Sequence, residues 1–205
     1  MIAIIDYGAG NIRSVSKAFA HIGCDTFVTR DRDAILKADA AVLPGVGSFG
    51  DTADSLDSFG IRDTVLAYIE SGKPFLGICL GLQLLFPESE ESPGAKGLGV
   101  FEGSITKIPV GEGLKIPHMG WNSLDIKKHG VLFKGIEGNP YVYFVHSYFL
   151  NAADKGIVAA QTQYGVTIDA AIEQGNVFAT QFHPEKSGDV GLRILKNFAA
   201  LVEGE

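Results

Sequence analysis

At 205 residues, with 46% apolar side chains and two cysteines far apart, the chain is long enough to bury a core without a disulfide framework. It carries 17 lysines and arginines against 24 acidic residues, a net charge of −7 with no basic stripe, which excludes nucleic acid as the expected ligand. Residues 1–6 lack the basic lead and long apolar core of a signal peptide, and no apolar run approaches the roughly 18 residues of a membrane span, so a reducing, cytoplasmic setting without membrane contact is expected.

Residues 2–6 read as a strand and 11–22 as a helix, with Val15, Ala18, Phe19 and Ile22 at i, i+3, i+4 and i+7 on one face. Between them, Gly8-Ala-Gly10-Asn11 hints at a dinucleotide loop, but Arg13 stands where its third glycine belongs. Cys24 reads as a small buried hydrophobe before a strand at 25–28. A strand at 40–43 runs into Pro44-Gly45-Val46-Gly47. Ile61, Val65, Leu66 and Ile69 form the apolar face of a helix that stops at Gly72. A buried strand at 74–78 meets a second apolar run with helical character at 80–86. This alternation predicts an α/β fold, a mostly parallel central sheet flanked by helices. Residues 87–97 are a polar loop. Short strand-like segments follow at 104–108, 123–126, 141–145, 157–161, 167–172 and 177–181, so the second half adds partly antiparallel strands. Ile194, Leu195, Phe198, Leu201 and Val202 share one face of a closing helix. No linker divides the chain, and 1–205 reads as a single domain.

The chemistry begins at the junction of strand 74–78 and the following helix. Cys79 sits there between Gly77 and Gly81, a cysteine version of the strand–turn–helix nucleophile elbow. The glycines fit a turn where two backbones come close, and the positive end of the helix favours a thiolate. A thiolate that attacks a carbonyl needs a base, and the base an orienter. His183 follows strand 177–181, with Pro184 blocking a direct helical continuation. Glu185, two residues on, points the same way in an extended segment and can hold one imidazole nitrogen while the other faces Cys79. The oxyanion of a tetrahedral intermediate needs donors. Leu80 N–H is one, and the Val46–Gly47 peptide, freed by flanking glycines, is a candidate second. His21, His118 and His129 show no metal-ligand spacing and no phosphate-binding loop is present, so no metal or cofactor is expected.

Gly-Ile-Cys79-Leu-Gly-Leu-Gln83, Pro44-Gly-Val-Gly47 and His183-Pro-Glu185 together resemble the class I (triad) glutamine amidotransferases. Asp6-Tyr-Gly-Ala-Gly-Asn11, Pro117-His-Met-Gly-Trp121-Asn122 and Tyr143-Phe-Val-His146-Ser147-Tyr148 narrow the resemblance to the glutaminase subunits of imidazole glycerol phosphate synthases. It spans essentially the whole chain. The resemblance implies glutamine as substrate, hydrolysed to glutamate and ammonia through a thioester on Cys79, with His183 as acid/base and Glu185 as orienter. It implies that Gly45, Gly47, Gln83, His146, Ser147 and Tyr148 line the glutamine pocket. It also implies a heterodimer with a (β/α)8-barrel cyclase that uses the ammonia to make imidazole glycerol phosphate and a carboxamide ribotide (AICAR) in histidine biosynthesis, with Asn11, Trp121, Tyr143 and Lys186 at the contact. The turn around Val46 adds an expectation of regulation: the lone chain is nearly inactive until its partner selects the donor-inward peptide. Competing readings are a glutaminase for another synthase (anthranilate or pyridoxal phosphate), a cysteine peptidase on a related scaffold, and a non-catalytic binding subunit. The Pro-Gly-Val-Gly and His-Met-Gly-Trp-Asn segments disfavour the first, Gln83 and the His-Pro-Glu segment the second, and the intact triad the third.

Overall fold

The computed structural model describes residues 1–8, 10–111 and 113–203. Ala9, inside the Gly-Ala-Gly segment, lies outside them. The first half alternates strand and helix: β1 (Ile2–Ile5), α1 (Ile12–His21), β2 (Thr26–Thr29), α2 (Arg32–Lys37), β3 (Ala40–Gly45), α3 (Phe49–Ser58), α4 (Arg62–Glu70), β4 (Phe75–Cys79) and α5 (Leu80–Gln83). The second half carries β5 (Gly103–Lys107), β6 (His118–Ser123), β7 (Asp125–Ile126), β8 (Tyr141–His146), β9 (Tyr148–Ala152), β10 (Val158–Tyr164), β11 (Val166–Gln174), β12 (Val177–Thr180) and α6 (Gly188–Glu203).

An eight-stranded sheet runs β2-β1-β3-β4-β12-β11-β10-β7. Strands β2, β1, β3, β4 and β12 are parallel, while β11, β10 and β7 extend the sheet antiparallel. The pairs β5–β9 and β6–β8 form separate antiparallel ribbons. The expected architecture, a parallel centre with antiparallel additions later in the chain, is what the structure has.

The continuous apolar strands are explained by burial on both faces. Ile2, Ile4, Val42, Leu76 and Ile78 point into one core, with Val15 and Phe19 of α1 and Ile194, Leu195 and Phe198 of α6. Ile5, Ala41, Leu43 and Phe75 point into the other, with Phe49, Leu56, Val65 and Tyr68 of α3 and α4. Helix α3, absent from the sequence reading, buries Phe49, Thr52, Ala53 and Leu56 at helical spacing. Its polar residues dilute that face, and its start is set by Ser48, whose hydroxyl accepts from Asp51 N–H. Helix α2 is too short to show periodicity, and its cap is the Asp31 carboxylate accepting from Ala34 N–H. Strand β9 was also missed; Ser147 separates it from β8, with which it forms one apolar stretch.

The helix expected over 80–86 stops after one turn. The Leu84 carbonyl accepts from Leu98 N–H (2.6 Å), and the Leu85 carbonyl from Val100 (2.8 Å) and Phe101 (3.2 Å). The returning 97–101 segment thus takes acceptors that a longer helix would use itself. No helix among the described residues is long and apolar enough to cross a membrane.

Candidate active site

Strands β3, β4 and β12 end side by side, with Gly45 paired to Cys79 and Ile78 to Thr180. The segments beyond these carboxyl ends carry the oxyanion candidate, the elbow and the histidine, where open α/β sheets place their sites. Cys79 has φ 55° and ψ −105°, the one positive φ outside glycine among the described residues. Strain of this kind persists only where surroundings over-determine it. A Cβ at Gly77 would lie 2.6 Å from Gly81 O, and one at Gly81 would lie 2.0 Å from Leu43 O. Gly81→Ala is therefore expected to destabilise the fold by about 3 kcal/mol or more, read as a large drop in melting temperature.

A cavity of about 230 Å³ opens at this point, with Cys79, Leu80, Gln83, His146, Ser147, Tyr148, His183, Val46 and Gly47 on its walls. Gly45 does a different job from the one expected. A Cβ there would sit 2.6 Å from the Leu80 Cβ, so its bareness lets β3 approach the elbow. Gly47 has φ +106°, a conformation glycine favours. Tyr7, fully buried, donates its hydroxyl to Pro44 O at 2.8 Å. Burial above all pushes that phenol up, opposed in part by the neighbouring Thr52 side chain and Val46 backbone.

His183 is 1% exposed, and its Nδ1 lies 2.8 Å from Glu185 Oε1. The reason differs from the one expected. Pro184–Lys186 is a turn of 3-10 helix, so Glu185 curls back to the ring instead of lying along an extended strand. Asn11 Nδ2 donates to the same carboxylate oxygen at 3.2 Å, which ties a residue expected at a partner contact directly to the orienter. The His183 backbone is clamped to β8: its N–H donates to Tyr143 O (3.0 Å), and the Ser187 hydroxyl bridges His183 O and Tyr143 N. His183 Nε2 has no hydrogen-bond partner among the described residues. Burial alone would lower the imidazole pKa, but the adjacent Cys79 sulfur and the Glu185 carboxylate outweigh it and raise it to about 9.

Three further groups at the site were not singled out. Glu91, from the polar loop, lines the cavity and accepts from Phe49 N–H at 2.8 Å, strapping that loop to α3. Gln181 is fully buried, with Nε2 3.7 Å from the Cys79 sulfur. His118, given no role of its own in the sequence, puts Nδ1 3.0 Å from His146 Nε2. The alternation of Gln181 with His183 could have flagged the second of these. The others depend on long-range folding.

The tautomers of the two histidines follow from a carbonyl. Tyr148 O accepts from His146 Nδ1 (2.8 Å), so His146 Nε2 is an acceptor and His118 Nδ1–H donates to it. Asn122 Nδ2 then donates to His118 Nε2 at 3.3 Å. Burial lowers His118 to about 4. It also lowers His146 to about 3, opposed by the Tyr148 carbonyl and helped by the neighbouring His118 and His183. An unfolded histidine titrates at 6.5. Between that pH and 4 these two sites bind protons in the unfolded chain and refuse them in the folded one, so their contribution to stability is full above pH 6.5 and falls on acidification. Melting temperature should drop across this window, with a shallower slope in His118→Asn.

Trp121 and Tyr143 face one another across β6–β8 with ring centroids 6.2 Å apart, and Lys186 Nζ lies 5.9 Å from the centroid of the Tyr143 ring. Trp121, Met119 and Tyr141 are 55%, 61% and 60% exposed. The structure thus gathers three of the four residues expected at a partner contact beside an open apolar patch, one strand from the histidine clamp.

A Cys–His–Glu array on an elbow at the end of a parallel sheet is the site of a thiol-dependent acyl-transfer enzyme. The profile of the family described as glutamine amidotransferase class-I matches residues 3–202, and the chain belongs to that family. It is 52% identical over 203 residues to "Imidazole glycerol phosphate synthase subunit HisH" of Syntrophotalea carbinolica, covering 97% of this chain and 98% of the relative. It is 53% identical to the protein of the same description from Methanothermobacter thermautotrophicus, covering 98% and 99%. Among solved structures, PurLQS from Thermotoga maritima superposes with a TM-score of 0.75 at 21% identity over 96% of each chain, a likeness of fold. Within the amidotransferases, the chain groups with the HisH glutaminase subunits.

Proposed function

We propose that Cys79, His183 and Glu185 hydrolyse glutamine and that the ammonia passes to a (β/α)8-barrel cyclase, the other subunit of an imidazole glycerol phosphate synthase. The observation that carries this is the meeting of an elbow cysteine and a Glu-held histidine in one cavity, although more than 100 residues separate them in sequence. The Cys79 thiolate attacks the side-chain carboxamide carbon, and the electron pair moves onto the carbonyl oxygen, facing Leu80 N–H. Collapse of that oxyanion breaks the C–N bond as the His183 imidazolium gives its Nε2 proton to the leaving nitrogen, releasing ammonia. The neutral imidazole then takes a proton from water, which attacks the thioester. The C–S bond breaks, sulfur regains its pair, and glutamate leaves.

Glu91 gives the cavity wall a carboxylate suited to the α-ammonium of glutamine. Glu91→Gln is expected to raise KM for glutamine roughly tenfold with a much smaller change in kcat, measured by steady-state glutamate release. Regulation fits the Val46 geometry. Gly47, at φ +106°, leaves this turn a backbone that can reorient, so the partner would act by turning a backbone N–H inward toward the oxyanion. The exposed Met119, Trp121 and Tyr141 patch, with Tyr143 and Lys186, is the docking face of this reading. The two cysteines are buried and form no disulfide, which suits a cytoplasmic setting, and the chain acts as one glutaminase domain.

The test is to mix the purified chain with a barrel cyclase and its ribotide ligand and follow glutamate. Strong stimulation by that partner alone supports the reading. Equal turnover with and without it, or stimulation by anthranilate synthase instead, overturns it.

A further inference from the structure

An elbow cysteine is ordinarily credited with thiolate stabilisation by the helix behind it, but here α5 has four residues, one turn of peptide dipoles. The sulfur has another neighbour. Gln181 Nε2 lies 3.7 Å from Cys79 Sγ, in a side chain with no solvent exposure. On another side the Val145 carbonyl lies 4.0 Å from the sulfur. A carbonyl suits a thiol S–H, whereas an amide N–H suits a thiolate.

Which end of the Gln181 amide meets the sulfur is dictated by the surrounding bonds. The Tyr148 carbonyl can only accept, so the group of Gln83 that lies 3.0 Å from it is the amide nitrogen. That same Gln83 Nε2 lies 3.0 Å from one end of the Gln181 amide, which must therefore be its oxygen. The remaining end, turned to the sulfur, is the NH₂ group. A flipped Gln181 would set donor against donor at Gln83 inside a buried site, at the cost of unmade hydrogen bonds.

We propose that Gln181 is a fourth catalytic residue, whose side-chain amide donates to the Cys79 sulfur while it is anionic, with Gln83 as the positioning residue that fixes the amide's orientation. This rests on the thioester reading above and assigns Gln83 a role beyond lining the pocket. The donor acts twice. It holds the sulfur lone pairs before attack, and it meets the charge again when the thioester C–S bond breaks and the electron pair returns to sulfur. In the thioester itself the sulfur is neutral and the contact weakens, so the bond is strongest in the two states that flank the acyl-enzyme.

Gln181→Met keeps the side-chain length and removes the donor, and Gln181→Glu puts an acceptor against the sulfur. For Gln181→Met, with its partner present, kcat for glutamine hydrolysis should fall roughly tenfold or more, the weight of one hydrogen bond to a charged group, with KM nearly unchanged. Alkylation of Cys79 by iodoacetamide at neutral pH, read by mass spectrometry of its peptide, should slow by a similar factor, and further in Gln181→Glu. Alkylation needs no glutamine. A slowing there in a protein without glutaminase activity would uphold the sulfur contact and sink only the proposed function. Unchanged alkylation and kcat in a folded Gln181→Met protein would overturn the proposal. Should both variants fail to fold, wild-type protein labelled with 15N at glutamine side chains decides it: methylthiolation of Cys79 should move the Gln181 amide resonance, and an unmoved resonance overturns the proposal.

Discussion

Cys79→Ala is expected to abolish glutamine hydrolysis, with a loss of about 10⁴-fold or more in kcat, as befits removal of the attacking atom from a group of residues that act as a unit. The fold should survive. The side chain is small, and the φ of 55° is sustained by the packing of Gly77 and Gly81 rather than by the sulfur. In a complex with the cyclase, ammonia supplied from solution should restore synthesis, because only its local production is lost. Steady-state assays with glutamine and with ammonium salts, alongside a melting curve, separate these outcomes. Residual glutamine turnover near wild type would mean that the elbow sulfur is not the nucleophile.

Glu185→Gln is expected to be the next most damaging change, with kcat falling about 10²–10⁴-fold. The carboxylate has a buried side chain and accepts from both His183 and Asn11, so it fixes the imidazole orientation and compensates its charge. The pH dependence gives a sharper test. His183 is held at about 9 against the opposing effect of burial by Cys79 and Glu185. With the Glu185 charge gone, burial is less opposed and the proton is lost at lower pH. The basic limb of the kcat/KM profile should therefore move to lower pH in the variant. Stability carries the same sign. A folded-state pKa above the unfolded 6.5 contributes stability that is complete below that pH and is lost as pH rises through about 9. A variant whose basic limb stays in place would show that Glu185 orients the ring without setting its charge.

The outcome differs between halves of the chain. The Val15–Ile22 and Ile194–Val202 faces were legible because each helix shows one stripe to one core, with Leu201 the exception: it lies 40% exposed at the edge of its stripe. Helix α3 was not, because Thr52 stands within its buried stripe and Asp and Ser residues cover the rest. The elbow was legible for a steric reason: two glycines around a cysteine leave few alternatives, and at both the missing Cβ would strike a carbonyl. The helix after it was over-extended, since nothing near residues 84–86 tells that the carbonyls there are claimed by Leu98, Val100 and Phe101.

The site divides the same way. Local spacing alone could nominate Cys79, His183, Glu185 and the Val46 turn, because bond-making groups with restricted backbones leave short-range marks. Gln181 facing a sulfur, Asn11 holding a carboxylate, Glu91 entering the cavity and His118 fixing the tautomer of His146 are contacts across 28 to 174 residues. Such contacts are made by strand order and loop return, and hydrogen-bond direction within them is set by acceptor-only carbonyls that no linear pattern announces. The chain's chemistry was thus written locally, while the arrangement that orients that chemistry exists only after β3, β4, β12 and β8 have come together.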